Sequence, residues 1–159
     1  ILYSDRVDGF CIVSSDSDFT RLVIRLREAG MRVIGIGEKK TPTPFIAACE
    51  KFIYIEIINA DNDKEEPKKE TKMTKAQKAE LIKIISTTID LAQDESEWVF
   101  LGDIGNLVLK KRPDFDPRNY GFLKLTPLIK SLDAFEIKER MSAKGNIKLV
   151  YIRNKKGNV

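Results

Sequence analysis

One stretch constrains the whole chain: Ala60-Asp-Asn-Asp-Lys-Glu-Glu-Pro-Lys-Lys-Glu-Thr71 is almost wholly charged or polar and has no hydrophobic period. Such a segment cannot bury enough surface to offset the entropy lost in ordering it. Residues 61–73 are therefore expected to form a charged linker between two small domains, 1–60 and 74–154, with 155–159 as a tail. Charge divides along the same line. Residues 1–60 hold eight Lys/Arg and eight Asp/Glu, whereas residues 72–159 hold seventeen and eleven, so the positive charge belongs to the C-terminal part. A basic small domain points toward nucleic acid, because Lys and Arg displace the counterions of phosphates. The alternative is an ordinary solvated surface.

The same sequence excludes several classes. No apolar run approaches the roughly eighteen residues that a bilayer span requires, and the N-terminus lacks a secretory pattern. No membrane association is expected, and the cytoplasm is the expected compartment. Cys11 and Cys49, the only cysteines, lie in a strand-like and a helix-like run, where reduced thiols are buried as small hydrophobes. A disulfide is not expected. With no histidine anywhere, neither is a zinc site.

Before the linker, residues 9–13 and 31–36 are short apolar runs suited to strands covered on both faces. Between them Leu22, Val23, Leu26 and Ala29 recur at helical spacing, and Gly30 closes the helix. Residues 44–51 read as a second helix and 52–57 as a third strand. This is α/β with a parallel sheet. Three strands in about sixty residues make a thin core, and Ile1-Leu-Tyr-Ser4 reads as the tail of a helix. The chain as given is therefore expected to begin inside a larger domain.

After the linker, residues 75–92 carry Leu81, Ile82, Ile84, Ile85, Ile89 and Ala92 on a broad apolar face, which predicts a long amphipathic helix. Residues 98–100 read as extended. Gly102 and Asp103 suit the start of a helix with Ile104, Leu107 and Val108 as core positions, which Pro113 stops. Asp116-Pro117 opens a further helical turn, which Gly121 interrupts. The next helix ends near Leu132, and Pro127 is tolerated there only if the helix starts at about Leu123 or later. Residues 135–140 and 147–153 alternate around a turn at 142–146, which is a hairpin. Three helices followed by a hairpin predict an α+β winged helix.

Ser14-Ser-Asp-Ser-Asp-Phe19 follows the first strand directly. In an open parallel sheet the crevice beyond the C-terminal strand ends is where ligands bind, so Asp16 and Asp18 are candidate catalytic and metal-binding residues for Mg²⁺ or Mn²⁺. The competing reading makes them caps of the following helix. Residues 8–23, 30–37 and 43–54 together resemble the C-terminal half of NYN domains, in the PIN-like ribonuclease superfamily. The resemblance implies a metal-dependent endoribonuclease in which Asp16 and Asp18 match the last part of an acidic cluster. Its earlier members lie on upstream strands missing from this sequence, so the fragment itself is expected to be inactive.

Leu101-Gly-Asp-Ile-Gly-Asn-Leu107, Phe115-Asp-Pro-Arg-Asn-Tyr-Gly-Phe-Leu-Lys-Leu125 and the hairpin resemble the LOTUS (OST-HTH) family across residues 74–153. That resemblance implies an RNA-associated winged helix, often fused behind an NYN domain in bacteria. It makes the whole an RNA-processing protein whose LOTUS domain binds or recruits RNA. The candidate RNA-binding residues are Lys110, Lys111, Arg112, Arg118, Lys124, Lys130, Lys144 and Lys148. Trp98, Tyr120 and Phe122 read as core packing in preference to stacking platforms for bases. Two other functions stay open: a non-catalytic adaptor whose winged helix binds a protein partner, and a DNA-binding regulator by fold analogy alone.

Overall fold

The computed structural model describes residues 7–62, 73–93, 96–142 and 148–155. The chain divides into two compact units, Ile1–Pro67 with Leu109–Asp116, and Lys68–Val108 with Pro117–Val159.

In the first unit β1 (Gly9–Val13), β2 (Arg32–Gly37) and β3 (Lys51–Tyr54) form a parallel sheet in the order β1-β2-β3. Phe10 lies opposite Val33, and Gly35 opposite Phe52. Alternation sends Phe10, Ile12, Val33 and Phe52 to one face. There they pack with Val23 and Leu26 of α1 (Thr20–Glu28) and with Phe45 and Ile46 of α2 (Thr43–Ala48). Phe45 meets Phe52 edge to face, with ring centroids 6.1 Å apart. Gly35 makes that packing possible, since a Cβ there would stand 2.6 Å from the Phe52 ring and 2.7 Å from Cys49 Sγ.

Four expectations need correction here. Among the described residues β1 is covered on one face alone: Cys11 and Val13 point away from the helices, and Val13 is 67% exposed. Cys11 is thus exposed, and only Cys49 is buried. On α1 the buried stripe is Val23 and Leu26, while Leu22 turns outward, because a 100° step per residue puts neighbours on different faces. The third strand stops at Tyr54, and residues 55–57 open α3 (Ile55–Asn62), where Ile57 is buried. Periodicity cannot tell a helix from a strand in so short an apolar run. The stretch expected as linker therefore begins inside a helix, and residues 63–72 lie outside the described residues, as do residues 1–4, expected to be a helix tail.

The second unit opens with α4 (Lys75–Ala92), within the expected bounds. Thr74 accepts the Gln77 amide and the Gln77 side chain accepts the Thr74 amide, which satisfies two of the helix's orphan donors. Leu81, Ile85 and Ile89 are buried along one stripe. The chain continues through β4 (Val99–Phe100), α5 (Leu101–Lys111), a 3-10 turn (Pro117–Tyr120), α6 (Leu125–Leu132), β5 (Phe135–Met141) and β6 (Lys148–Asn154). Gly121 ends the 3-10 turn at φ 84°, a conformation that favours glycine. Pro127 falls in the first turn of α6, where its missing N–H leaves no bond unmade. The strands form an antiparallel sheet in the order β4-β6-β5. Ile152 at its centre is fully buried with Ile104, Val108, Leu128 and Ile129. This is the α+β winged helix the sequence predicts. No helix among the described residues is long and apolar enough to cross a membrane.

Gly35→Ala should lower the stability of the first unit by about 1–3 kcal/mol in denaturant unfolding, because the added methyl meets a ring and a buried sulfur. Burial pushes the Cys49 thiol up to about 11, against a small opposing pull from Arg27. The folded state thus holds this proton more tightly than the unfolded chain. The stabilisation is complete below the ordinary thiol value near 9 and disappears as pH rises through about 11. Iodoacetamide at pH 8 should label Cys11 and spare Cys49, as mass spectrometry of tryptic peptides would show.

Candidate functional site

Asp16, Asp18, Glu38 and Glu56 follow the C-terminal ends of the parallel strands. The Ser14 amide donates to Ile36 O at 2.9 Å, which extends the β1–β2 pairing by one step. The chain then turns: the Asp16 amide donates to Ser14 Oγ at 3.1 Å, and Asp16 Oδ1 accepts the Asp18 amide at 2.9 Å. Asp16 is thereby the cap of the 3-10 turn Ser17–Phe19 that leads into α1. Ser15 Oγ accepts the Glu38 amide at 2.8 Å, tying this loop to the one after β2. The Lys39 amide donates to Glu56 Oε1 at 3.0 Å, and this bond holds the Glu56 carboxyl below its usual range. Sequence reasoning missed Glu38 and Glu56. The signal was present for Glu38, two residues beyond the expected second strand, but not for Glu56, which fell inside the expected third strand.

These carboxylates share an edge of the sheet without forming a metal cage. Among the described residues no group of three His, Cys, Asp or Glu side chains is placed to hold an ion. Mg²⁺ demands six oxygens near an ideal octahedron. Asp16 and Asp18 alone do not fit that demand, and one Asp16 oxygen is already engaged by a backbone amide. A hollow of about 340 Å³ lined by Asp8, Phe10, Cys11, Arg32 and Ile34 lies at the opposite, N-terminal ends of β1 and β2. It is separate from the acidic edge.

The basic residues expected to bind RNA fall in both units. Lys110, Lys111 and Arg112 belong to the segment Leu109–Asp116 that groups with the first unit; Arg118, Lys124, Lys130 and Lys148 belong to the second. Arg112 Nε pairs with Asp114 Oδ1 at 3.2 Å. Arg118 lies half-buried in the 3-10 turn, and Lys124 stands exposed at the N-cap of α6. Lys130 and Lys148 come together on one carboxylate: Glu139 pairs with Lys130 at 3.5 Å and closely with Lys148, which holds its carboxyl below the ordinary value. Lys144 lies outside the described residues. Trp98, Tyr120 and Phe122, expected as core, are each only half-buried.

Comparison with known proteins gives two family matches. Residues 1–56 match the NYN domain and residues 72–147 the OST-HTH/LOTUS domain. No curated protein matches the chain. Among solved structures, an uncharacterised protein from Nitrosomonas europaea is 30% identical, with 61% of this chain and 93% of that one covered and a TM-score of 0.45. Residues 175–257 of a Chromobacterium violaceum protein are 26% identical, with 59% and 92% covered and a TM-score of 0.42.

Asp16→Ala should destabilise the first unit by about 0.5–2 kcal/mol through loss of the cap, whereas Asp16→Asn should cost only a few tenths, since asparagine caps equally well. Thermal unfolding of both variants measures the difference. Equal losses would show that the cap contributes nothing.

Proposed function

From the premise that the chain is an NYN domain followed by an OST-HTH/LOTUS domain, we propose that it acts in RNA processing, with the winged helix recruiting RNA to a metal-dependent endoribonuclease. The observation that carries this reading is the succession of the two domains. NYN domains, like PIN domains generally, are metal-dependent nucleases, and LOTUS domains bind RNA. The charge distribution supports the same division of labour. The basic excess lies in residues 72–159, where contact with phosphates is wanted, and the acidic edge lies in the first unit.

Asp16 and Asp18 are the residues we assign to a divalent metal, which needs more oxygen ligands than these two supply. What this chain's own residues do is narrower. The Asp18 amide fixes one Asp16 oxygen, and the loop bond from the Glu38 amide to Ser15 anchors the turn, so the carboxylates are held at the strand ends.

Two measurements test the proposal. Fluorescence anisotropy with labelled RNA should show binding that weakens about tenfold or more between 50 and 200 mM salt, as expected for several phosphate contacts. No salt-dependent binding to single-stranded, duplex or structured RNA would remove the recruiting role. In any longer chain that carries these residues and cleaves RNA with Mn²⁺, Asp16→Asn should abolish the cleavage at nearly unchanged stability, because it keeps the cap and loses the charge. Retained cleavage would take Asp16 out of the mechanism.

A further inference from the structure

The wing sheet has a second face that the core does not use. Strand alternation puts residues two apart on the same side. Lys138 pairs with Tyr151, Glu136 with Arg153, and Phe100 with Tyr151. Trp98, Phe100, Tyr151, Arg153, Lys138 and Arg140 therefore share one face, while Phe135 and Ile152 bury on the other. On this outer face the Arg153 guanidinium carbon stands 4.7 Å from the Trp98 ring centre and Lys138 Nζ 5.5 Å from it. The Arg140 guanidinium lies 5.6 Å from the Tyr151 ring, and Tyr151 stacks obliquely with Phe100 at 5.7 Å.

The charges on this face are not equivalent. Arg153 is pinned by Glu136, with Nη2 to Oε2 at 2.7 Å, and by Glu97. It therefore keeps a fixed position over Trp98. Lys138 and Arg140 are exposed and meet no carboxylate among the described residues. Two adjacent cations on one side of a strand, roughly 6.5 Å apart, match the step between neighbouring phosphates of an extended single strand. Aromatic rings and an immobilised guanidinium beside them offer π surfaces on which unpaired bases stack, whereas paired bases in a duplex present no free face.

We propose that this outer face of the β4-β6-β5 sheet binds single-stranded RNA, Lys138 and Arg140 contacting successive phosphates and unpaired bases stacking at Tyr151 and at the Trp98–Arg153 pair. The proposal rests on the reading of the winged helix as an RNA-binding module and assigns the surface that does it. It differs from the surface read from sequence, which drew on the helices and the wing tip.

Trp98 is the chain's only tryptophan, so its fluorescence reports on this face alone. Titration of the full chain with a twelve-residue oligouridylate should quench it, and the same RNA as a duplex should compete at least tenfold less well. Lys138→Thr with Arg140→Thr, which keeps strand-forming residues, should weaken binding about tenfold and flatten the salt dependence by about one phosphate contact or more. Tyr151→Leu should weaken it several-fold with the salt slope unchanged. Lys110→Ala with Lys124→Ala should leave it intact. If filter binding detects the oligouridylate while Trp98 stays unquenched, or if the Lys110/Lys124 variant alone loses it, the face is wrong and the RNA reading stands. If no RNA binds, both fall. Quenching by oligoglutamate but not by RNA would reassign the face to an acidic protein.

Discussion

The pairing of β5 with β6 is the interaction on which the second unit depends. Seven residues of each strand run in antiparallel register, from Phe135 opposite Asn154 to Met141 opposite Lys148. A one-residue slip would exchange the two faces. If β5 is the strand that slips, Phe135, now buried, would then point to solvent, and the cations Lys138 and Arg140 would be driven toward Leu128 and Ile129. Burying unpaired charge costs far more than a surface ion pair returns, so the alternative register is strongly disfavoured. The same alternation that fills the core thus also fixes a sheet of rings and cations on the opposite side.

Much of this was legible in the sequence, for identifiable reasons. The α4 pattern spans five turns, long enough for helical periodicity to be unambiguous, and its bounds fell where the apolar face did. Pro127 set the earliest start of α6, because proline is harmless only where no amide donor is needed. What was not legible lies in short runs and in pairing. Residues 55–57 carry apolar side chains that serve a strand or a helix equally, and three residues cannot decide between them. The partners of Trp98 could not be read from its neighbours in sequence, because Arg153 reaches it from fifty-five positions away across a sheet whose register periodicity does not specify. Burial of Cys11 was inferred from its apolar neighbours, but a strand covered on one side exposes every second residue.

The acidic loop shows how one residue type meets two demands. Asp16 terminates β1 and starts the turn into α1, a role that its hydrogen bond to the Asp18 amide explains fully. Capping uses one carboxylate oxygen and requires only an acceptor, which asparagine also supplies. Metal chemistry would require the negative charge. The two roles are compatible, and they respond differently to substitution by Asn and by Ala.

The central position of β6 has a consequence for biosynthesis. β6 is the only strand of its sheet to touch both others, and its Asn154 side chain donates to Asp90 Oδ1 on α4 at 2.7 Å. Elements made some sixty residues earlier therefore wait for the last strand before they can close their core. Until the ribosome has released Asn154, Leu81, Ile85 and Ile104 have no completed interior to enter. For that interval the unit keeps its apolar stripes exposed, whereas α4, α5 and α6 can form locally as they emerge.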